Sequence, residues 1–413
     1  MTSYDDLQNE KVPRRRFLKW TGAVAVAGLA AAGLGYEAGT ASKQESTRTS
    51  TTSTSPTSRT ATSAAPTSAA TVTQTVTDAT TQTVTESATA STTASAAVPA
   101  NSFSIFWITD TQFLSETNPA LFRMTTNWIV SNWSAYNGKL VIHTGDIVQN
   151  GNQQVEWQNA HEAMSILSTN GIPYSWCAGN HDDLVSGDPT SGWMGNQWAP
   201  AFDPSTVKPT LNALKYVSWA DDYHNGMNTA VTFSANGLNF LVINVEWNGD
   251  PTVVSWVGNM LSNPAYADYN VIVAPHAYMD AYGLTNDPRW GPTLADFVGG
   301  LTPLLDLPNS NVFLTLNGHF ATDEGYNTPY PLNSRNQLMF DRQDCRDAPN
   351  SLSGRGVDDS TSDTPDSDRV GGATVTILTF DTDHEQVSVK TYDVYTGKWR
   401  TDSNEQYSFA MFP

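Results

Sequence analysis

A chain of 413 residues exceeds one ordinary domain, and its 41 Asp and Glu against 21 Lys and Arg give a formal net charge of −20. That balance argues against a nucleic-acid binder, which meets phosphates with a basic patch. An anionic substrate would need a local positive feature such as a metal ion. Cys177 and Cys345 are the two cysteines, too few for a disulfide scaffold or a zinc finger. A single bridge between them and two separate small residues both fit the sequence.

In chain order, the first segment, residues 1–41, reads "VPRRRFLKWTGAVAVAGLAAAGLGYEAGTAS" from Val12. Arg14 to Arg16, then Phe17-Leu18-Lys19, then the small apolar stretch Trp20 to Tyr36 resemble a twin-arginine export signal. As a helix the stretch spans roughly 26 Å, slightly short of the roughly 30 Å hydrocarbon core of a membrane. It is expected to be cleaved after Gly39-Thr40-Ala41 or to stay as a membrane anchor. Either outcome makes the protein extracytoplasmic, secreted or held at the cell surface. Residues 42–100 are Thr, Ser, Ala and Pro with repeats such as "TVTQTVTDATTQTVTE". So few large apolar groups cannot offset ordering entropy, which predicts an unpacked Ser/Thr-rich stalk or linker.

Residues 101–413 carry most of the aromatics and form the predicted globular domain. "FSIFWITD" is an apolar run ending in Asp110, "KLVIHTGD" ends in Gly145-Asp146, and "IPYSWCAGNHD" ends in Gly179-Asn180-His181-Asp182. "NVIVAPH" ends in His276 and "NVFLTLNGH" in His319. Such runs predict buried strands. "NPALFRMTTNWIVSNW" and "VEWQNAHEAMSIL" place apolar residues at helical spacing between the first three. Strands alternating with helices imply an α/β sheet with ligand sites at the strand carboxyl ends, where all five polar clusters fall. The stretch "GATVTILTFDTDHEQVSVKTYDVYTGKWR" predicts antiparallel strands, as a second sheet or an added edge.

Singly, each polar residue has a plain structural reading: Asp110 a turn residue, His276 or His319 a satisfied core histidine. Together, carboxylates, an amide carbonyl and imidazoles at one sheet edge are the mixed oxygen and nitrogen donors that divalent metals prefer. Asp146 has two oxygens and could bridge two ions. A pair of metals about 3.5–4 Å apart activates water and clamps phosphoryl oxygens.

The order Asp110-x-Gln112, Gly145-Asp146, Gly179-Asn180-His181-Asp182, His276 and Gly318-His319 resembles the calcineurin-like metallophosphoesterases, in the branch whose first motif is Asp-Thr-Gln. The resemblance implies a two-sheet β-sandwich flanked by helices and a phosphoester or other phosphorylated small-molecule substrate. It implies that Asp146 bridges, that Asn180, His276 and His319 complete one metal site, and that Asp110 and Gln112 hold the other. It also implies that His181 stands at the leaving group, with Asp182 orienting its imidazole.

Two positions depart from the pattern. Gln112 replaces the usual first-motif histidine and can still bind a hard cation through its carbonyl oxygen. Gly318-His319-Phe320-Ala321 lacks the usual second histidine, so the Asp110 and Gln112 site is expected to be weak unless Asp323 or a water fills the gap. The oxygen-rich donor set favours manganese, magnesium or iron over zinc. The sequence therefore predicts an exported metal-dependent phosphoesterase with one or two metals. The second reading is a catalytically impaired cell-surface binding or structural module on the same fold.

Minor features carry less. The acidic stretch Gly356 to Gly372 matches no calcium loop and reads as solvated surface. Trp193, Trp198 and Trp290, in turn-rich segments, read as core residues before cleft residues.

Overall fold

The computed structural model describes residues 98–247, 249–280, 283–285, 292–307, 310–320, 326–330, 335–343, 373–401 and 403–412. The predicted export segment, the stalk up to residue 97, Trp290, Ala321, Asp323, Cys345 and the acidic stretch 356–372 lie outside the described residues. Among the described residues no helix is long and apolar enough to cross a membrane.

Strand β1 (Ser102–Ile108) is buried along its whole length, which is why its sequence is nearly continuous in apolar residues instead of alternating. Helices α1 (Gln112–Glu116) and α2 (Pro119–Asn132) lead to β2 (Gly138–His143), and α3 (Gln154–Thr169) leads to β3 (Tyr174–Trp176). Pro119 opens α2 at its first position, where its missing N–H costs nothing. Both predicted helical patterns are therefore helices. After α4 (Gly195–Trp198) and α5 (Pro204–Asn212) come β4 (Val217–Tyr223), β5 (Asn228–Ala235) and β6 (Leu238–Val245). The β5–β6 hairpin turns on Asn236 and Gly237, both at positive φ, as a type I′ turn requires. Then follow α6 (Pro251–Ser262), β7 (Asn270–Pro275), α7 (Pro292–Leu305), β8 (Val312–Asn317), β9 (Tyr326–Tyr330) and β10 (Arg335–Met339). The chain closes with β11 (Thr374–Asp381), β12 (Gln386–Asp393), β13 (Lys398–Trp399) and β14 (Gln406–Ala410).

Among the described residues these strands make two mixed sheets of seven. The first runs β13-β12-β11-β1-β2-β3, with β14 on β12; the second runs β4-β5-β6-β7-β8-β10-β9. β1, β2 and β3 are mutually parallel, as are β6, β7, β8 and β10. The C-terminal strands extend the first sheet, because β11 pairs antiparallel with β1 from Ser102↔Asp381 to Trp107↔Thr376.

The sheets pack face to face through aromatic rings. Phe103 and Phe380 of the first stack at 4.9 Å, Phe233 and Phe240 of the second at 4.8 Å, and Phe103 meets Phe240 edge-on at 5.3 Å. Such pairs add about 0.5–1.5 kcal/mol each beyond the area they bury. On the outer face of the first sheet Trp133, just past α2, stacks on Phe106 at 5.4 Å. On the second sheet Val257, Val298 and Leu301 of α6 and α7 share one buried cluster with Leu241 and Ile243. The result is the expected two-sheet sandwich flanked by helices. Trp193 is a core residue, 5.4 Å from Trp157, and Trp198 packs partly buried against the same core.

Candidate metal centre

The carboxyl ends of both parallel groups meet at one edge, and cross-sheet hydrogen bonds fix them there. Trp247 N, after β6, donates to Ala178 O at 3.2 Å; His319 N, after β8, donates to both oxygens of Asp110 at 3.1 and 3.2 Å. Asp110 N in turn donates to Gly145 O at 3.0 Å. Asp110, Asp146 and His319 all adopt positive φ, at 50°, 50° and 74°. A side-chain-bearing residue held in a sparsely populated region costs about 1–3 kcal/mol and persists only where its surroundings over-determine it. The glycines of the motifs answer a second demand, close approach. A Cβ on Gly179 would lie 2.1 Å from Asp146 Oδ1, and one on Gly318 would lie 2.0 Å from Asp110 Oδ2.

Asp146, His276 and His319 bring ligand atoms within 4.8 Å of one another. His276 Nε2 faces Asp146 Oδ1 at 3.5 Å, Asn180 Oδ1 at 3.2 Å and His319 Nδ1 at 3.1 Å. Donors about 2.1 Å from one cation are separated by roughly 3.0–3.4 Å, so these spacings suit a shared coordination sphere. The tautomer agrees: His276 Nδ1 donates to Thr144 O at 2.7 Å, which leaves Nε2 a lone pair. Two acceptors, His276 Nε2 and Asn180 Oδ1, then face each other, an arrangement that a cation relieves. Burial lowers the pKa of His276, and burial followed by the His276 charge brings His319 down to about 3. Both imidazoles are neutral and able to ligate at neutral pH. Burial acts to raise the Asp146 carboxyl, but His276, His181 and His319 hold it below the usual carboxylate range.

Beside this group stand Asp110 and Gln112, 1% and 0% exposed. A relay holds Asp110: Trp107 Nε1 donates to Thr144 Oγ1 at 2.9 Å, Thr144 to Thr109 Oγ1 at 2.6 Å, and Thr109 to Asp110 Oδ2. Gln112 Nε2 donates to Asp146 Oδ2 at 3.3 Å, while its Oε1 is buried and accepts no hydrogen bond. An orphaned carbonyl oxygen against a carboxylate pair fits a hard cation.

The Asn180-His181-Asp182 turn divides its work differently from the expectation. His181 N donates to Asp146 Oδ1 at 2.9 Å and its Nδ1 donates to Gln149 O at 3.0 Å. Asp182 does not orient that imidazole. Its carboxylate is fully buried and accepts from Ile147 N at 2.8 Å, Val148 N at 3.0 Å and Gly179 N at 2.7 Å. These three donors come from both the β2 and β3 loops, so Asp182 locks the loops together, and Gln149 O positions the ring. Burial and the Asp146 charge push the Asp182 carboxyl well above its usual range. Cys177 is a free thiol, fully buried, with Sγ 3.6 Å from Ala274 O, and Cys345 lies outside the described residues.

Several residues at this edge escaped the sequence. Trp247 lies nearly parallel to His319 at 6.2 Å, and its indole donates to Asp183 Oδ2 at 3.0 Å. Burial pushes Asp183 up to about 7 despite that bond. Asp341 and Gln343 follow β10, and Gln343 Oε1 accepts from Gln112 Nε2. The apolar β6 run ending in Glu246-Trp247 was a signal for the first pair; the polar β10 sequence gave none for the second.

A two-sheet sandwich carrying Asp, Asn and His at converging strand ends defines a metallophosphoesterase-type fold. The calcineurin-like phosphoesterase profile matches residues 103–290. An uncharacterized protein of Bacillus subtilis, YvnB, is 29% identical over 219 residues, which cover 53% of this chain and 15% of that far longer protein. A purple acid phosphatase from yellow lupin seeds aligns at 12% identity and TM-score 0.44, covering 76% of this chain and 54% of its own. GAP50, the anchor in the inner membrane complex of Plasmodium, aligns at 12% identity and TM-score 0.42, covering 76% and 89%.

Proposed function

We propose that the chain is an exported, metal-dependent phosphoesterase that hydrolyses a phosphate ester or anhydride of a small molecule. The convergence of His276 Nε2 with Asp146 Oδ1, Asn180 Oδ1 and His319 Nδ1 carries the reading. A divalent metal held by these groups supplies a Lewis acid for the phosphoryl oxygen and lowers the pKa of an attacking water. Asp146 turns Oδ1 to the histidine group and Oδ2 to Gln112, and so serves both halves of the centre. His181 donates through Nδ1 to Gln149 O, which leaves Nε2 to hold or give a proton at the leaving oxygen. The relay from Trp107 through Thr144 and Thr109 keeps Asp110 from turning away. In a chain of net charge −20, capture of an anionic substrate depends on this local centre.

Export rests on Arg14 to Lys19 and the apolar stretch after them, and a Ser/Thr-rich stalk, residues 42–100, would hold the domain off a surface. The apolar stretch Trp20 to Tyr36 is the segment that would anchor it if the signal is retained.

The test is turnover of p-nitrophenyl phosphate and its bis-ester by the full chain, stripped of metal and then supplied with manganese. Metal-dependent turnover is expected, and Asp146→Ala or Asn180→Ala should lower it on the order of 10²-fold or more. Full metal occupancy with no turnover on either ester class would instead favour a surface binding module that has lost catalysis.

A further inference from the structure

Ala321 stands where the resemblance leads one to expect a histidine, so that position supplies no ligand to the Asp110 half of the centre. The neighbouring strand offers another. β10 runs parallel to β8 with Met339 beside Asn317, and Phe340 N donates to Asn317 O at 3.0 Å. In that register Asp341 stands level with His319. Asp341 is 0% exposed, and its carboxylate accepts from Gln343 N and Gln343 Nε2, both at 2.9 Å. Gln343 Oε1 accepts from Gln112 Nε2, and Gln112 Nε2 also donates to Asp146 Oδ2 at 3.3 Å. Asp341, Gln343, Gln112 and Asp146 thus form one chain of contacts. Asp110 borders this chain: its carboxylate accepts from the backbone N of His319, the residue level with Asp341, at 3.1 and 3.2 Å.

A second observation points to a ligand. Gln112 Oε1, on a side chain 0% exposed, accepts no hydrogen bond, and the carboxylates around it are acceptors. We propose that Asp341 replaces the missing histidine, so that Asp110, Gln112, Asp146 and Asp341 hold a second cation through oxygen alone. The proposal rests on the metal-centre reading above. Three carboxylates and an amide oxygen select a hard cation such as manganese or magnesium over zinc. Gln343 is a positioning residue: by accepting from Gln112 Nε2 it leaves the Gln112 oxygen, not the nitrogen, to face the cation.

The experiment is manganese binding to the full chain and to its Asp341→Ala, Asp341→Asn and Asp268→Asn forms. Stoichiometry is read by equilibrium dialysis with elemental analysis, spin coupling by electron paramagnetic resonance, and folding by circular dichroism. Wild type and the exposed-site control Asp268→Asn should hold two manganese ions with a coupled spectrum. Asp341→Ala should keep one, uncoupled, with second-site affinity reduced at least roughly 10–100-fold, the loss known for supporting groups alone. Asp341→Asn keeps the side-chain shape and decides the matter if the alanine form does not fold. Two coupled ions at wild-type affinity in either Asp341 form would overturn the proposal. One ion in wild type would also overturn it, yet leave the Asp146, His276 and His319 site standing. No ion in wild type would sink both.

Discussion

Gly179→Ala tests whether the metal centre depends on the close approach of two loops. The added Cβ would lie 2.1 Å from Asp146 Oδ1 and 2.3 Å from Asp146 N, about 1 Å short of ordinary contact. Rotating the Asp146 side chain relieves the first clash but not the second, so the β2 and β3 loops must separate. Separation also stretches the bonds that Ile147 N and Val148 N donate to Asp182 Oδ1, at 2.8 and 3.0 Å. Overpacking costs about 1–3 kcal/mol and a strained bond to a buried carboxylate about 1.5–3 kcal/mol. A net loss of about 3 kcal/mol should lower Tm by roughly 6–12 °C, at 2–4 °C per kcal/mol for a domain of this order. Because Asp146 moves with its loop, manganese affinity should fall at least roughly 10–100-fold. Differential scanning fluorimetry and calorimetric titration read the two effects. Gly299→Ala, inside α7 where an added Cβ meets nothing within 4 Å, is the control: it should leave manganese affinity unchanged and not lower Tm, since Ala favours a helix over Gly by roughly 0.5–1 kcal/mol. A Gly179→Ala protein with wild-type Tm and wild-type manganese affinity would refute the close-approach argument.

Asp182→Ala should cost about 3 kcal/mol or more in denaturant unfolding, since it strands three buried N–H groups at about 1–3 kcal/mol each; a loss below about 1 kcal/mol would show the carboxylate does not lock the loops. His224 has its pKa raised, chiefly by the hydrogen bond to Glu246 at 3.2 Å. Its contribution is fully present below the unfolded value near 6.5 and is lost as pH rises through the higher folded value. His224→Gln should therefore destabilise the protein more at about pH 5.5 than at about pH 9, and equal losses would contradict the pairing. Cys177, with burial pushing its thiol well up, should resist iodoacetamide at about pH 8 in the native protein and react on unfolding; peptide mapping by mass spectrometry reads it out.

The legible part of the site is the part where a buried strand runs straight into a polar turn. Asp110, Asp146, Asn180, His276 and His319 each follow a run such as Val312–Asn317, apolar because both faces are covered, and the change of character marks the strand end. β10 is equally buried but reads Arg-Asn-Gln-Leu-Met, because Arg335 pairs with Asp306 and Asn336 Nδ2 donates to Ala410 O at 3.1 Å. Partners supplied by the tertiary structure made Arg335 and Asn336 acceptable there, so hydrophobicity could not announce Asp341. The β5–β6 hairpin did carry a local signal in Asn236-Gly237, and the five runs named from the sequence simply do not include it. Asp182 was misassigned for another reason. Adjacency to His181 suggested a carboxylate–imidazole pair, whereas a tight turn aims consecutive side chains apart, and Asp182 turned toward the loop amides.

The position of β1 has a consequence for biosynthesis. It sits between β2, which follows it at once, and β11, which the ribosome delivers only after every proposed ligand from Asp110 to Asp341 has emerged. Until then β1 keeps an open edge, and Phe103 lacks the ring of Phe380 on which it stacks. A nascent chain halted just before Thr374 would carry all the side chains of the centre and no finished wall to mount them on. On the metal-centre reading proposed above, a finished site would therefore await β11, and the segment that carries the ligands would not suffice.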